Sequence, residues 1–83
     1  MEITRERIVE LLDEKIEKEA KKWGVNNIYT VWARENKEKV LNAFDNGFDP
    51  VPVAEIGWRY EDGWDIHSVL YTDGTVHEEF YRM

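Results

Sequence analysis

The chain has 83 residues, a formal net charge of −7, 42 % hydrophobic residues and no cysteine. This length suits one domain, the apolar content excludes a disordered acidic tail, and the lack of cysteine excludes disulfides and thiolate metal sites. No stretch is long and apolar enough to cross a membrane, and the charged start of the chain lacks the apolar run of a signal peptide. We therefore expect one compact domain over residues 1–83 in a soluble, cytoplasmic protein that carries no cofactor.

The first predicted element is an amphipathic helix over residues 5–23. Thr4 is a suitable N-cap, and Gly24 provides the residue that ends the helix. Apolar side chains recur at steps of three and four residues, which predicts one buried stripe, widened by Ile8 and Leu11: Val9, Leu12, Ile16, Ala20 and Trp23.

The secondary structure in the middle of the chain can be interpreted in two ways. Residues 28–33 are rich in β-branched and aromatic side chains and predict a short strand, although they also suit the start of a longer helix. A helix over 36–46 is better defined, with Asn36 as its cap and Gly47 at its end. The prolines at 50 and 52 then exclude further helix.

Three strands close the chain and predict an α+β fold: an N-terminal amphipathic helix, a short strand, a second short helix and a three-stranded antiparallel β-meander packed on the helices. The two turns of the meander share an Asp-Gly step, at residues 62–63 and 73–74. A two-residue loop at the first turn would set Trp58 opposite His67, whereas a three-residue loop sets Trp58 opposite Ile66. Because a slip of one residue moves every side chain to the other face, apolar matching favours three-residue loops at both turns.

This register predicts two different faces. One face forms the core beneath the first helix: Ala54, Ile56, Trp58, Tyr60, Trp64, Ile66, Leu70, Val76 and Phe80. The other face mixes polar and aromatic side chains: Glu55, Arg59, Asp65, His67, Val69, Tyr71, His77, Glu79 and Tyr81. On this second face we expect Arg59 opposite Asp65 and His67 opposite Glu79, which are favourable cross-strand pairs.

Catalysis is not indicated. Ser68 is the chain's one serine and follows His67, but neighbours in a strand point to opposite faces and cannot form a nucleophile–base pair. Three strands and two short helices also leave little room for a dry pocket. The sequence therefore predicts a protein that is not an enzyme.

Metal binding is an alternative function. His67, His77 and Glu79 are expected on one face of neighbouring strands, within reach of one zinc ion. No metal-spacing motif supports this site, so surface histidines are the simpler interpretation and we assign no metal.

The negative charge is concentrated in the strands. Residues 50–83 hold seven acidic and two basic residues, whereas residues 1–49 hold eleven acidic and nine basic residues. This balance disfavours direct binding to nucleic acid or to an anionic membrane. An acidic, aromatic-rich sheet suits a protein partner with a basic surface.

In size, acidity and mixed α and β layout, the chain resembles small inhibitors carried by phages and other mobile elements, such as anti-CRISPR, anti-restriction and DNA-mimic proteins. The resemblance implies a protein that binds and blocks a nucleic-acid-handling partner. Carboxylates on a rigid sheet can occupy Arg and Lys positions that normally hold phosphates. The expected partner-binding residues are five acids and two tyrosine anchors: Glu55, Glu61, Asp62, Asp65, Glu79, Tyr71 and Tyr81.

Two other hypotheses come from different classes. One is a small metal- or ligand-binding domain, and the other is a structural or regulatory piece or a designed scaffold, which the regular alternation and matched turns also suit. A homodimer through an exposed edge strand is compatible with each of them.

Overall fold

A computed structural model describes residues 3–82 of the chain. Two helices, α1 (Arg5–Trp23) and α2 (Ile28–Asp45), precede three strands, β1 (Pro52–Glu61), β2 (Trp64–Tyr71) and β3 (Val76–Arg82). The strands form one antiparallel sheet in the order β1-β2-β3, and this sheet packs on the helices. The predicted α+β class is confirmed. Neither helix in this described part has the length and apolar character needed to span a membrane.

Helix α1 has the predicted bounds and caps. The Thr4 hydroxyl accepts a hydrogen bond from the backbone N–H of Arg7 at 3.1 Å, and Gly24 ends the helix with a φ of 98° that suits glycine. Burial follows the widened side of the predicted stripe, because the buried positions of α1 are Ile8, Leu11 and Leu12. Trp23, expected in the stripe, is about half exposed.

The strand predicted over 28–33 is wrong, and the alternative of a longer helix is confirmed. The cap of α2 is Asn27 rather than Asn36, and its side chain accepts a hydrogen bond from Tyr29 N at 3.0 Å. Burial recurs at helical spacing along α2: Thr30, Ala33, Val40 and Ala43. Packing of this face on α1 outweighs the strand preference of the β-branched residues, since β-propensity depends strongly on context.

The core lies where the helices meet the beginning of β1. Its buried members are Ile8, Leu11, Leu12, Val40 and Val53, and partly buried side chains pack around them, including Ala54 and Leu70 from the sheet. Further along the strands the side chains become exposed. Trp58 is 53 % exposed and Phe80, on the other face, is 55 % exposed. The helices therefore cover one end of the sheet and leave the far end open on both faces.

The β1–β2 register differs from the prediction. Glu61 pairs with Trp64 across a two-residue loop, so Trp58 lies opposite His67 rather than Ile66. Both loop residues have positive φ, 49° at Asp62 and 80° at Gly63, as a type I′ turn requires. This turn matches the strand twist, and its effect on the register outweighs apolar matching.

Two irregularities interrupt the register of β1, between Glu55 and Gly57 and between Pro52 and Ala54. Each places an extra residue in β1, which is the signature of a β-bulge. The shift between Glu55 and Gly57 cancels the one-residue offset of the turn, so Ala54 still lies opposite Leu70 and reaches the helical core.

The β2–β3 register follows the prediction. His67 lies opposite Glu79, and the loop is three residues long, with Tyr71 N donating to Thr75 O at 2.9 Å. The two hairpins thus use different loops despite their shared Asp-Gly step. The predicted pair of Arg59 with Asp65 is wrong, because Arg59 lies opposite Ile66.

The observed register defines two faces. One, the acidic aromatic face, carries Glu55, Trp58, Tyr60, Asp65, His67, Val69, Tyr71, His77, Glu79 and Tyr81. The other, the opposite face, carries Ala54, Arg59, Glu61, Trp64, Ile66, Ser68, Leu70, Val76, Glu78, Phe80 and Arg82. The predicted core face is therefore divided, since Trp58 and Tyr60 lie on the acidic aromatic face.

Candidate functional site: the acidic aromatic face

His67 lies between two carboxylates at the centre of the acidic aromatic face. Its Nδ1 atom is 2.8 Å from Glu55 Oε1, and its Nε2 atom is 2.9 Å from Asp65 Oδ1. Both ring nitrogens must carry a proton to donate at once, so this arrangement favours the imidazolium. Hydrogen bonds to Asp65 and then Glu55 raise the pKa of His67. The charge of this face therefore depends on pH.

Aromatic side chains lie beside these carboxylates. The indole Nε1 of Trp58 donates a hydrogen bond to Asp65, and the Trp58 ring meets Tyr60 edge-to-face with centroids 4.4 Å apart. On the other side of His67, Tyr81 packs its ring at 5.3 Å, edge-to-face. Trp58, Tyr60 and Tyr81 remain about half exposed, so each offers apolar surface next to a hydrogen-bonding group.

Glu79 adds a third carboxylate, and it lies on β3. It accepts a hydrogen bond from the Tyr81 hydroxyl at 2.6 Å, which raises the pKa of Tyr81. Glu55, Asp65 and Glu79 thus present one carboxylate from each strand, level with Val69, Asp65 and His67 of β2 respectively. The result is a cluster of three carboxylates around His67.

The arginines of the sheet lie on the opposite face. Arg59 binds Glu61 at 3.1 Å and Glu78 at 3.0 Å, and Arg82 stacks over the Trp64 ring at 4.9 Å. In the described part of the chain, the acidic aromatic face therefore has three carboxylates and no Lys or Arg. The two-residue turn produces this separation, because the predicted register had placed Arg59 among the carboxylates.

The predicted partner-binding residues are only partly brought together. Glu55, Asp65, Glu79, Tyr71 and Tyr81 share the acidic aromatic face. Of the two remaining acids, one lies on the opposite face and one in the first turn: Glu61 and Asp62.

Sequence reasoning missed Trp58 and Tyr60 as members of this site. It placed both in the core because the apolar pairing of Trp58 with Ile66 outweighed the turn chemistry. The signal that could have found them is the Asp62-Gly63 dipeptide, since Asp-Gly favours two-residue type I′ turns.

His77 has partners of its own and lies apart from the His67 cluster. Its Nε2 atom is 3.0 Å from Thr75 Oγ1, and its ring packs on Tyr71 with centroids 4.4 Å apart. Between residues 3 and 82, no group of three His, Asp or Glu side chains is arranged to hold a metal ion. The alternative zinc site at His67, His77 and Glu79 thus gains no support from the geometry.

Ser68 and His67 lie on different faces, as expected for neighbours in a strand. A groove of about 790 Å³ runs between the helices and β1 and has an apolar floor that includes Leu11 and Val40. Its polar rim consists of lysines, glutamates and one asparagine: Glu14, Lys15, Lys18, Asn36, Lys39 and Glu55. None of the described groove residues is a histidine or a hydroxyl nucleophile.

Comparison of the chain with protein-family models, curated protein sequences and solved structures gives no match.

Proposed function

We propose that this protein is a non-enzymatic interaction protein that binds a basic surface on a partner and blocks it sterically. The binding surface is the acidic aromatic face, and the partner is a nucleic-acid-handling protein. The observation that carries the proposal is the separation of charge between the two faces. One face carries the three carboxylates of Glu55, Asp65 and Glu79 with the single basic side chain of His67 between two of them, whereas the opposite face carries Arg59 between Glu61 and Glu78.

The carboxylates suit the groups that normally hold phosphates. Arg and Lys side chains bind carboxylate and phosphate oxygens with similar geometry. A carboxylate from each of three strands, fixed on a hydrogen-bonded ladder, offers such groups in one cluster at little entropic cost. A partner that holds nucleic acid through Arg and Lys can therefore be occupied by this cluster instead.

The aromatic residues supply the apolar part of the contact. Trp58 is about half exposed, and its indole is held by Asp65. An arginine of the partner can lie over this ring while its guanidinium meets the neighbouring carboxylate, which combines a cation–π contact with an ion pair. Tyr and Trp in such positions are the residues that most often anchor interfaces.

The test is a pull-down of the tagged protein from bacterial lysate with identification of bound proteins by mass spectrometry. It is carried out at low and high salt and with added competitor DNA. The proposal expects a nucleic-acid-binding protein that is captured at low salt and released by DNA. A partner whose retention does not change with salt or DNA would contradict the proposed mechanism.

Two matched variants locate the surface. E55Q/E79Q removes two charges from the acidic aromatic face, and E61Q/E78Q removes two charges from the opposite face of the same sheet. We expect the first to weaken capture of the identified partner at least tenfold and the second to leave it within about twofold, because Glu61 and Glu78 lie on the other face. The second variant should stay folded, since exposed pairs such as Arg59–Glu78 contribute little to stability. Equal loss in both would contradict assignment to one face.

A further inference from the structure

A second exposed aromatic surface lies at the turn between α1 and α2, where the charged side chains are cations rather than carboxylates. We call it the hairpin tip and define it by five apolar residues, each about half exposed or more: Trp23, Val25, Ile28, Tyr29 and Trp32. Five large apolar side chains left in solvent within ten residues are typical of an interaction site. These side chains are not part of the hydrophobic core cluster.

The hairpin tip is held in a fixed shape. Trp23 and Tyr29 pack with ring centroids 5.3 Å apart, and Tyr29 meets Trp32 edge-to-face at 5.8 Å. The connecting turn is held by Thr30, whose hydroxyl donates to Gly24 O at 2.7 Å. A surface already ordered in the free protein loses less entropy on binding.

The charge of the hairpin tip is the reverse of the sheet's. Residues 20–34 contain Lys21, Lys22 and Arg34 but no Asp or Glu. Glu19 and Glu35 border this segment, and Lys22 helps to lower the pKa of Glu19. Lys22 also lies over the Trp23 ring at 5.1 Å, and Arg34 donates to a backbone carbonyl. Lys21 Nζ lies 3.4 Å from Glu17 Oε1, but this ion pair is exposed and contributes little to stability.

We infer that the hairpin tip docks on the acidic aromatic face of a second copy of this chain. This inference rests on the proposed use of that face as a binding surface. It adds a second copy of the chain as a further partner, which occupies the same face as the nucleic-acid-handling partner. Both surfaces are aromatic, and their charges are complementary, with cations at the tip and three carboxylates on the face. Cations meeting exposed tryptophan and tyrosine rings gain further stabilisation.

The dimensions of the two surfaces agree. Packed helices lie about 8–10 Å apart, so the end of a helical hairpin is about as wide as a sheet of three strands spaced at about 4.8 Å. A single tip-to-face contact leaves the face of one copy and the tip of the other unoccupied. Further copies then add as rings or open chains, except where two copies occupy each other's face at once and close a two-fold dimer.

Sedimentation velocity of the full chain, from micromolar to millimolar concentration, tests the inference. We expect the average mass to rise continuously with concentration at low salt. The rise should shrink strongly between about 0.1 M and about 1 M NaCl, over which the Debye length falls from about 10 Å to about 3 Å. A monomer at every concentration, or a discrete dimer unaffected by salt, would overturn the inference.

Charge reversal provides the decisive comparison. K21E/K22E reverses the tip and E55K/E79K reverses the face, so each variant alone should remain monomeric. Mixed in equal amounts, the two variants should associate again, because the native tip of E55K/E79K meets the native face of K21E/K22E, and the two reversed surfaces are also complementary to each other. A matched control, R7E/K37E, changes two cations outside both the tip and the groove rim that Glu55 shares, and should associate like the wild type. A mixture that stays monomeric while both variants are folded by circular dichroism contradicts the docking.

A separate measurement distinguishes this inference from the proposed function. A lysine-rich peptide added to the monomeric K21E/K22E variant should bind, since the acidic aromatic face is intact, and E55K/E79K should not bind it. Peptide binding without self-association would overturn only the tip-to-face contact. No peptide binding by either variant would contradict the basic-partner proposal itself.

Discussion

His67 and Glu55 form an ion pair between neighbouring strands, with His67 Nδ1 2.8 Å from Glu55 Oε1. The pair exists because a bulge in β1 places Glu55 opposite Val69, beside His67 on the same face. Asp65 approaches the other ring nitrogen, so the ring is held from both sides. The protonation of one side chain is thereby linked both to the fold and to the charge of the proposed site.

Stability should fall as pH rises through the pKa of His67. Its pKa in the folded protein lies above the unfolded value of about 6.5, because Asp65 and Glu55 favour the charged ring. The contribution is therefore fully present below about pH 6.5 and is lost as pH passes the folded pKa. Urea denaturation across this window should show the decrease for the wild type but not for H67Q.

The linkage is tested with the variant E55Q, and E38Q is its matched control. Both remove one negative charge, but only Glu55 contacts the His67 ring. An NMR titration of the His67 ring proton should give a lower pKa in E55Q than in the wild type, whereas E38Q should leave it nearly unchanged. Equal shifts in the two variants would mean that overall charge, rather than the contact, raises the His67 pKa.

Binding of a basic probe should respond to pH in the opposite direction. Deprotonation of His67 leaves Glu55 and Asp65 without the balancing positive charge, so the acidic aromatic face becomes more negative as pH rises. A lysine-rich peptide keeps its charge over the same interval, because lysine has a pKa of about 10.4. Its affinity should therefore increase with pH for the wild type and stay nearly constant for H67Q, measured by fluorescence titration at low salt. A flat wild-type profile would contradict this prediction.

The observed register can be tested with an engineered disulfide. Gly57 lies directly opposite Ser68, and a Cβ added at Gly57 would be 3.4 Å from the Ser68 Cβ, close to the distance that a disulfide spans. G57C/S68C should therefore oxidise to an intramolecular disulfide. The control is I56C/S68C, which pairs the residues that three-residue loops would have set opposite each other. Faster bond formation in the control, measured by thiol titration, would contradict the observed register.

What the sequence could predict follows from how local the controlling interactions are. The bounds of α1 depend on Thr4 and Gly24, which act within a few residues of themselves. The start of α2 was ambiguous because residues 28–33 favour a strand by composition, and only burial of Thr30 and Ala33 against the other helix decides for the helix. That packing is a tertiary effect, which composition does not report.

The composition of the site was harder to predict than the fold class. One residue of loop length at Asp62-Gly63 moves Trp58 to the carboxylates and Arg59 away from them. The bulge between Glu55 and Gly57 then conceals this offset from apolar matching, since Ala54 and Leu70 still pair. The sequence indicated an acidic face with Tyr71 and Tyr81, but the presence of Trp58 and Tyr60 on it and its lack of arginine depend on one turn.

The turn itself should be sensitive to a single methyl group. Gly63 has a φ of 80°, in the region where a side chain costs about 1–2 kcal/mol. G63A should reduce the free energy of unfolding by about that amount in urea denaturation. D62N is the control, because asparagine and aspartate both tolerate positive φ and Asn-Gly suits the same turn. Equal destabilisation by D62N would contradict the assignment of the cost to backbone conformation at Gly63.

The stability of the molecule should depend mainly on the small core beside the beginning of β1. Leu12 is 2 % exposed and packs in the cluster that joins both helices to the sheet, whereas Leu41 lies at the partly buried edge of that cluster. L12A should cost about 2–5 kcal/mol, which is comparable with the whole stability of a small domain. L41A removes the same atoms but should cost clearly less, because water can enter the space it leaves. Urea denaturation measures both, and an equal loss would mean that the core extends further around α2 than its buried residues indicate.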